Sequence, residues 1–435
     1  MNKIPIIIII FLLFNNCSIK SINKEQRFWS KKKPNIQEVK IPKKILTKEI
    51  RKEKELNPSL EIKFSSKETN KKSKNTQNDI GELSYDGILE KKGKYKFSKF
   101  NNFKSIEVKP VFYDKNVIFF NNKGTITLYD ERQKKIWKKN FYNKSEKKLK
   151  PRLNLAIKRN TLIVTDDVSK FYTIDIKTGK IIWNKSNIVP FNSDIKIKDD
   201  NFYAVDFKNI IRSISIVDGS ELWNFKTEET LTRSNTKTSI IIDEKNVYFN
   251  NSVGDITAIN LDSGELVWQL PTQSNNIIKN AFRLSSSQLV MNENSIIFSN
   301  NKNEFYSVDK QTGLINWKNK INSNIRPIVI DKFIITVSDK GYLYVIDKTS
   351  GNIIRINDLY KGYSYKKRIK VSPTGFIIAK NKIYLTNDDG KLIITELSTG
   401  NILNTIKIAG KKISSPFVHK NEIFIIKNGA IIKYN

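Results

Sequence analysis

The feature that most limits what this chain can fold into is a unit that recurs along it. Its fullest copy spans residues 254–268, GDITAINLDSGELVW. Ile256, Ala258 and Leu261 carry the apolar positions of a first strand, Asp262-Ser263-Gly264 forms a tight turn, and a second strand ends in Trp268. Alternation of apolar and polar residues argues for half-buried strands, and the Asp/Ser/Gly cluster supplies the turn. Upstream stand residues 170–183 (KFYTIDIKTGKIIW) and 210–223 (IIRSISIVDGSELW); downstream stand 304–317 (EFYSVDKQTGLINW), 341–355 (GYLYVIDKTSGNIIR) and 390–403 (GKLIITELSTGNIL). A weaker copy at 124–137 (GTITLYDERQKKIW) lacks the turn glycine.

The spacing of these units selects the architecture. The turn glycines at 179, 219, 264, 313, 351 and 400 are 40, 45, 49, 38 and 49 residues apart. A period of roughly 40–50 residues built from short strands matches one four-stranded propeller blade. Helical repeats of that length would place apolar residues at 3.6 spacing, which these units do not do. The expected fold is all-β: a β-propeller of four-stranded antiparallel blades.

The ends of the repeat array predict how the ring closes. Residues 416–435 hold an incomplete unit, without a turn or a tryptophan strand, while 95–100 (YKFSKF) reads as a lone strand ahead of the first unit. Pairing that N-terminal strand with the last blade removes the open edge. Seven full units and one shared unit make eight blades, over residues 88–435. The tryptophans at 137, 183, 223, 268 and 317 share one strand position and read as packing between blades. Arg355 and Asn404 stand near that position in the last two full units, where looser packing is expected.

Two further zones precede the blades. Residues 1–17 pair Lys3 with an apolar run over 5–14, shorter than a bilayer span of about 20 residues and matching a secretion signal. The run ends at Cys17, the single cysteine of the chain. An apolar run leading into a lone cysteine looks like a bacterial lipoprotein signal, which makes Cys17 the expected lipidation site. The residues before it, Phe14, Asn15 and Asn16, differ from the aliphatic and small residues usual there. Ser18 after the cysteine, in place of Asp, implies in such lipoproteins transfer to the outer membrane. With Cys17 anchored, no disulfide is available, so stability must come from burial. Residues 18–87 are rich in Lys, Glu, Asn and Ser, and 18–80 hold 18 Lys/Arg against 8 Asp/Glu. Low hydrophobicity with high charge predicts a disordered tether, with small apolar islands at 41–46 and 60–64.

Signals for catalysis are sparse. His419 is the single histidine, and Ser-His-Asp arrangements, His/Cys metal clusters and Gly-rich phosphate loops are missing from the sequence. Asp166-Asp167 and Asp388-Asp389 fall between strands and read as turn residues. No catalytic residue, cofactor or metal is expected. The formal net charge of +34 raises nucleic acid as a partner. The export signal, the spread of the excess and the heavy use of Ile, Asn and Lys argue against it; weak attraction to anionic headgroups fits better.

The pattern G-x-L-x-x-[LIV]-D-x-x-[TS]-G-x-x-x-W, met in full or nearly so by the units ending at Trp183, Trp268 and Trp317, is similar to the repeat of pyrroloquinoline-quinone-type propellers. With eight blades and a lipoprotein-like signal, the chain resembles the BamB family, the propeller lipoproteins of the outer-membrane β-barrel assembly machinery. That resemblance implies a non-enzymatic scaffold, lipid-anchored on the periplasmic face of the outer membrane. It would dock on the periplasmic part of the barrel-forming subunit, with unfolded outer-membrane proteins as a further class of partner. One family loop follows the tryptophan strand with a leucine-rich segment and an arginine; the similar position here reads Leu231-Thr232-Arg233-Ser234. A second family loop has Arg-Leu-Ser followed by aspartates; here Arg283-Leu284-Ser285 stands, with Ser286 and Gln288 in place of the acids. The resemblance thus implies Leu231, Arg233 and Arg283 as partner contacts. A quinoprotein-like periplasmic dehydrogenase shares the repeat and is the enzyme alternative; an envelope propeller that binds polysaccharide or peptide is the third.

Overall fold

Four-stranded antiparallel sheets succeed one another along the chain, eight in all, in a computed structural model that describes residues 53–65, 81–228, 237–272, 286–300 and 303–435. Blade 1 is built from Val111–Tyr113, Asn116–Phe120, Ile126–Tyr129 and Lys135–Lys139. Blades 2 to 7 follow in the same order over 153–186, 196–226, 240–270, 290–319, 328–358 and 373–407. First strands of neighbouring blades approach one another, so they line the axis and the fourth strands form the rim. Second and third strands, such as NVIFF in blade 1, are apolar almost throughout because both of their faces are covered by adjacent blades. Rim strands such as Ile181–Ser186 expose most of their residues.

The recurring turn is made by its acidic residue. In blade 5 the Asp309 Oδ1 accepts from the Gln311 N–H (3.0 Å), the Thr312 N–H (2.8 Å) and the Thr312 hydroxyl (2.8 Å). Those donors, the Thr312 N–H foremost, hold its carboxyl below the usual carboxylate range. Gly313 closes the turn at φ +75°, and a one-residue bulge follows before Trp317.

Each tryptophan of the blades staples its blade to the next. The Trp317 indole N–H donates to the Lys348 carbonyl of blade 6 (3.1 Å). Trp137, Trp183, Trp223 and Trp268 do the same to Ile176, Ile216, Leu261 and Lys310, at 2.7–3.0 Å. The next blade's turn glycine lies under the ring: a Cβ on Gly351 would come within 2.5 Å of Trp317. Glycine is therefore required there twice, for the left-handed backbone and for clearance.

The ring closes as expected, by an N-terminal strand, but with different bounds. The fourth strand of blade 8 is Lys91–Lys96, antiparallel to Ala430–Tyr434, and not 95–100. Tyr95 pairs with Ile431 and is buried, whereas the rings of Phe97, whose N–H makes a last bond to Gly429 O (3.1 Å), and of Phe100 pack on Phe119 and Phe120 of blade 1. Gly93 occupies the tryptophan position, and Gln133 of blade 1, at φ +64°, takes the place of the missing turn glycine. Large and small have changed sides: a Cβ on Gly93 would meet the Gln133 side chain at 2.7 Å.

The expectation of looser packing fails at Arg355, and at Asn404 the side chain leaves the seam while Tyr85 packs between blades 7 and 8. Arg355 is fully buried, while Asn404 is exposed on the rim. Part of the expected tether also packs on the blades. Residues 53–65 run along blades 6 and 7, with Ile62 buried and Phe64 edge-on to Phe333 at 5.2 Å. Tyr85 is buried between blades 7 and 8; its hydroxyl donates to the Asn435 carbonyl (2.8 Å) and its ring meets Tyr384. Residues 1–52 and 66–80, the rest of the signal and tether segments, lie outside the described residues.

Candidate interaction surfaces

Connections from a rim strand to the next inner strand all leave the ring on one face. The two family-type loops are such connections. Residues 229–236 join Glu221–Lys226 of blade 3 to Ile240–Ile242 of blade 4, and 273–285 join Leu266–Leu270 of blade 4 to Val290–Met291 of blade 5. Leu231, Arg233 and Arg283 fall within them and, like Cys17, lie outside the described residues. The flanks are well held. The Thr227 N–H donates to Asn209 O (3.2 Å), the Thr238 N–H to Asn192 O (2.8 Å), and the Thr272 hydroxyl to Gly254 O (2.7 Å). Ser286 and Gln288, which stand where the family has aspartates, are tied inward: Asn250 Nδ2 donates to the Ser286 hydroxyl (2.6 Å), and Gln288 Nε2 to Glu107 Oε1 (3.1 Å).

That last bond belongs to a polar network around the axis that the sequence reading missed. Tyr113, Lys158, Lys198, Asn292 and Ile330 each close an inner hairpin. Four residues before each stand Lys109, Asn154, Asp194, Gln288 and Arg326. Lys109 Nζ pairs with Asp194 (2.5 Å) and Glu107 (3.2 Å); Lys237 Nζ reaches Asp194 (3.4 Å) and Asn154 Oδ1 (2.6 Å). Burial opposes the Asp194 charge, yet Lys109 and Lys237 hold its carboxyl below the usual range. Burial, reinforced by Arg326 and Lys109, brings Lys196 down to about 7. Since Gln288 precedes blade 5 and Glu107 precedes blade 1, their bond crosses the ring. The repeat offset held the signal for these positions, but one residue per 40–50 gives no local pattern.

The carboxylate pairs act as turn residues. Asp166 Oδ1 accepts from the N–H groups of Val168 (2.9 Å) and Lys170 (2.7 Å), and Tyr142 donates to Oδ2 (2.5 Å). Burial pushes its carboxyl up to about 6 against those donors. Asp167 pairs with Arg152 (2.5 Å); Asp388 caps the Ser372 N–H and Asp389 the Lys391 N–H. His419 stacks on Phe112 (4.5 Å) with Nε2 against the Asp114 carbonyl, a link between blades 8 and 1. Among the described residues no group of three or more His, Cys, Asp or Glu sits at metal-holding distance, and no helix is long and apolar enough to cross a membrane.

The rim between blades 6 and 7 carries the most elaborate contact. Arg355 occupies the tryptophan position, and its Nη2 donates to the Leu397 carbonyl (2.8 Å), the counterpart of the carbonyls that the indoles reach. Its Nη1 donates to the Leu60 carbonyl (2.8 Å) and to Ser398 O. Asn357 Nδ2 reaches the Pro58 carbonyl (3.1 Å), and Leu56 and Ile356 exchange backbone hydrogen bonds at 3.1 and 2.9 Å.

Comparison with known proteins agrees with this architecture. The profile of the family described as outer membrane protein assembly factor BamB matches residues 122–357, more than half of the chain. The BamB of Shewanella oneidensis is 21% identical over 303 residues, 67% of this chain and 74% of that protein. The BamB of Legionella pneumophila is 23% identical over 247 residues, 55% of this chain and 50% of that protein. Among solved structures, BamB from Moraxella catarrhalis superposes with a TM-score of 0.64 at 15% identity, covering 80% of this chain and all of that one. A quinohemoprotein alcohol dehydrogenase from Pseudomonas putida gives 0.60 at 12% identity, over 82% of this chain and 78% of that one, which shows a shared fold alone. The chain belongs to the outer membrane protein assembly factor BamB family.

Proposed function

We propose that this propeller is a non-enzymatic scaffold in outer-membrane protein assembly, lipid-anchored through Cys17 at the periplasmic face of the outer membrane. It docks on the periplasmic part of the barrel-forming subunit with the face that bears loops 229–236 and 273–285. The observation that carries this reading is the family match, which covers the blades flanking both loops. The two connections follow consecutive rim strands, and Leu231, Arg233 and Arg283 on them supply the apolar and cationic side chain types that anchor interfaces. The titratable pairs support a scaffold too, because Asp166, Asp167, Asp388 and Asp389 are spent on turns.

The test is co-purification from detergent-solubilised envelopes with the full chain as bait and mass-spectrometric identification. The reading expects the barrel-forming subunit to be recovered, and Arg233→Glu to reduce recovery at least tenfold while the unfolding midpoint stays unchanged. Recovery of lipid and abundant acidic proteins alone overturns it.

A further inference from the structure

The strap formed by residues 53–65 is bound to the rim in the manner of a peptide ligand. Of its large apolar residues only Ile62 is buried; Leu56 and Leu60 are still 40% and 41% exposed. Burial therefore holds it weakly, and the grip comes from hydrogen bonds: Asn57 Nδ2 donates to the Ile354 carbonyl (3.1 Å), Glu55 accepts from the Asp358 N–H (3.0 Å) and Glu53 from the Tyr344 hydroxyl (3.0 Å), beside the main-chain bonds that follow. A turn at Asn57–Leu60, closed by the Leu60 N–H on the Asn57 carbonyl (3.0 Å), presents the carbonyls of Pro58 and Leu60 to Asn357 and Arg355. Before the turn, Leu56 adds one antiparallel bridge to the open edge at Ile356; after it, the Ile62 N–H donates to Ser398 O (2.9 Å). Backbone bonds to a sheet edge with one or two side-chain pockets are how extended peptides are recognised.

The groove exists because of Arg355. In the tryptophan seams one indole N–H satisfies one carbonyl of the next blade, and the ring fills the space outward. Arg355 satisfies the corresponding carbonyl with Nη2 and still has Nη1 donors aimed outward, which a buried guanidinium must pair. A chain in trans carries the same acceptors as the strap.

We propose that the outer seam of blades 6 and 7 is a binding groove for an extended peptide, that residues 53–65 are its resident ligand in cis, and that this ligand dissociates and exchanges. Arg355 and Asn357 read main-chain carbonyls, and the Ile62 and Phe64 pockets select an apolar residue followed two positions later by an aromatic one. With one buried apolar side chain and most of its residues exposed to solvent, the strap lies at the low-stability end of the molecule, where local release precedes global unfolding. The proposal stands independently of the docking face described above.

The experiment uses the full-length chain with residues 53–65 replaced by a Gly/Ser stretch of equal length. A fluorescent synthetic peptide of the 53–65 sequence is titrated in and anisotropy recorded. Saturable binding is expected, at least tenfold weaker binding to the unaltered chain, whose groove is filled, and at least tenfold loss for an Ile62→Asp peptide. That last variant leaves the protein untouched, so misfolding cannot mimic it. No binding to a replaced chain of native circular dichroism overturns the proposal. So does unfolding of the replaced chain, which would make the strap an integral part of the fold. Equal binding of a scrambled peptide overturns it as well.

Discussion

The seam between blades 5 and 6 and the seam between blades 6 and 7 solve one packing problem in different ways. In the first, the Trp317 ring covers Gly351 and its N–H reaches Lys348 O, all within the repeat. In the second, Arg355 makes the equivalent bond to Leu397 O but needs Leu60, nearly 300 residues away in sequence, to complete its partners. The seam between blades 7 and 8 also lacks a tryptophan, and Tyr85 lies buried there. Where the repeat supplies its own staple, the seam is self-sufficient; where it does not, the chain ahead of the blades covers it. The ring-closing seam is a third case: Gly93 replaces the tryptophan, and a cleft of about 250 Å³ lies beside it, with Phe97, Phe119 and Tyr129 among its walls.

The largest expected effect falls on a self-sufficient seam. Trp268→Ala removes a buried indole and its bond to Lys310 O, and equilibrium denaturation should show a loss of about 3–5 kcal/mol. At the other kind of seam, Arg355→Ala leaves the Leu397 carbonyl without its donor and is expected to cost roughly 3 kcal/mol. Arg355→Trp sharpens the contrast. It restores a donor to Leu397 while displacing Leu60, so the blades should hold while amide exchange at Leu56 and Ile62 accelerates. Unchanged exchange would mean that the strap does not depend on Arg355.

A smaller effect compares turns in blades 2 and 4. Asp166 and Asn251 cap equivalent turns, yet only Asp166 titrates. Its carboxyl, raised to about 6, favours the protonated form in the folded state. The stability it contributes is complete below the unfolded value of about 4 and is lost as pH rises through about 6, on the order of 3 kcal/mol. Asp166→Asn should flatten the unfolding midpoint across that window; an unchanged pH profile would assign the titration elsewhere.

Much of the blade architecture could be read from the chain because each blade repeats its own signals. The acid-to-glycine offset and the tryptophan position encode turn and staple within about fifteen residues, as in 254–268. What could not be read depends on distant partners. Leu60, Ile62 and Phe64 stood out as an apolar island, but where it docks did not, since their partners Arg355 and Phe333 lie far downstream. Arg355 looked like a missing tryptophan because its compensation comes from that same segment. The axial network was illegible for a related reason: Lys109, Asp194 and Lys237 each belong to a different blade. Of the proposed partner contacts, the resemblance supplied Leu231, Arg233 and Arg283, and the fold adds that the connections holding them, 229–236 and 273–285, run from rim to axis between consecutive blades.

The comparison divides the molecule into tryptophan-stapled blades that carry those loops and later blades covered by the N-terminal segment. Site-specific photocrosslinking in intact envelopes tests that division most directly, with the crosslinker placed at Leu231, at Arg283, or at Leu403 on the exposed rim of blade 7. Crosslinks to the barrel-forming subunit from 231 and 283, and none from 403, are the predicted result. Crosslinks from 403 alone, or from none of the three, would contradict the account.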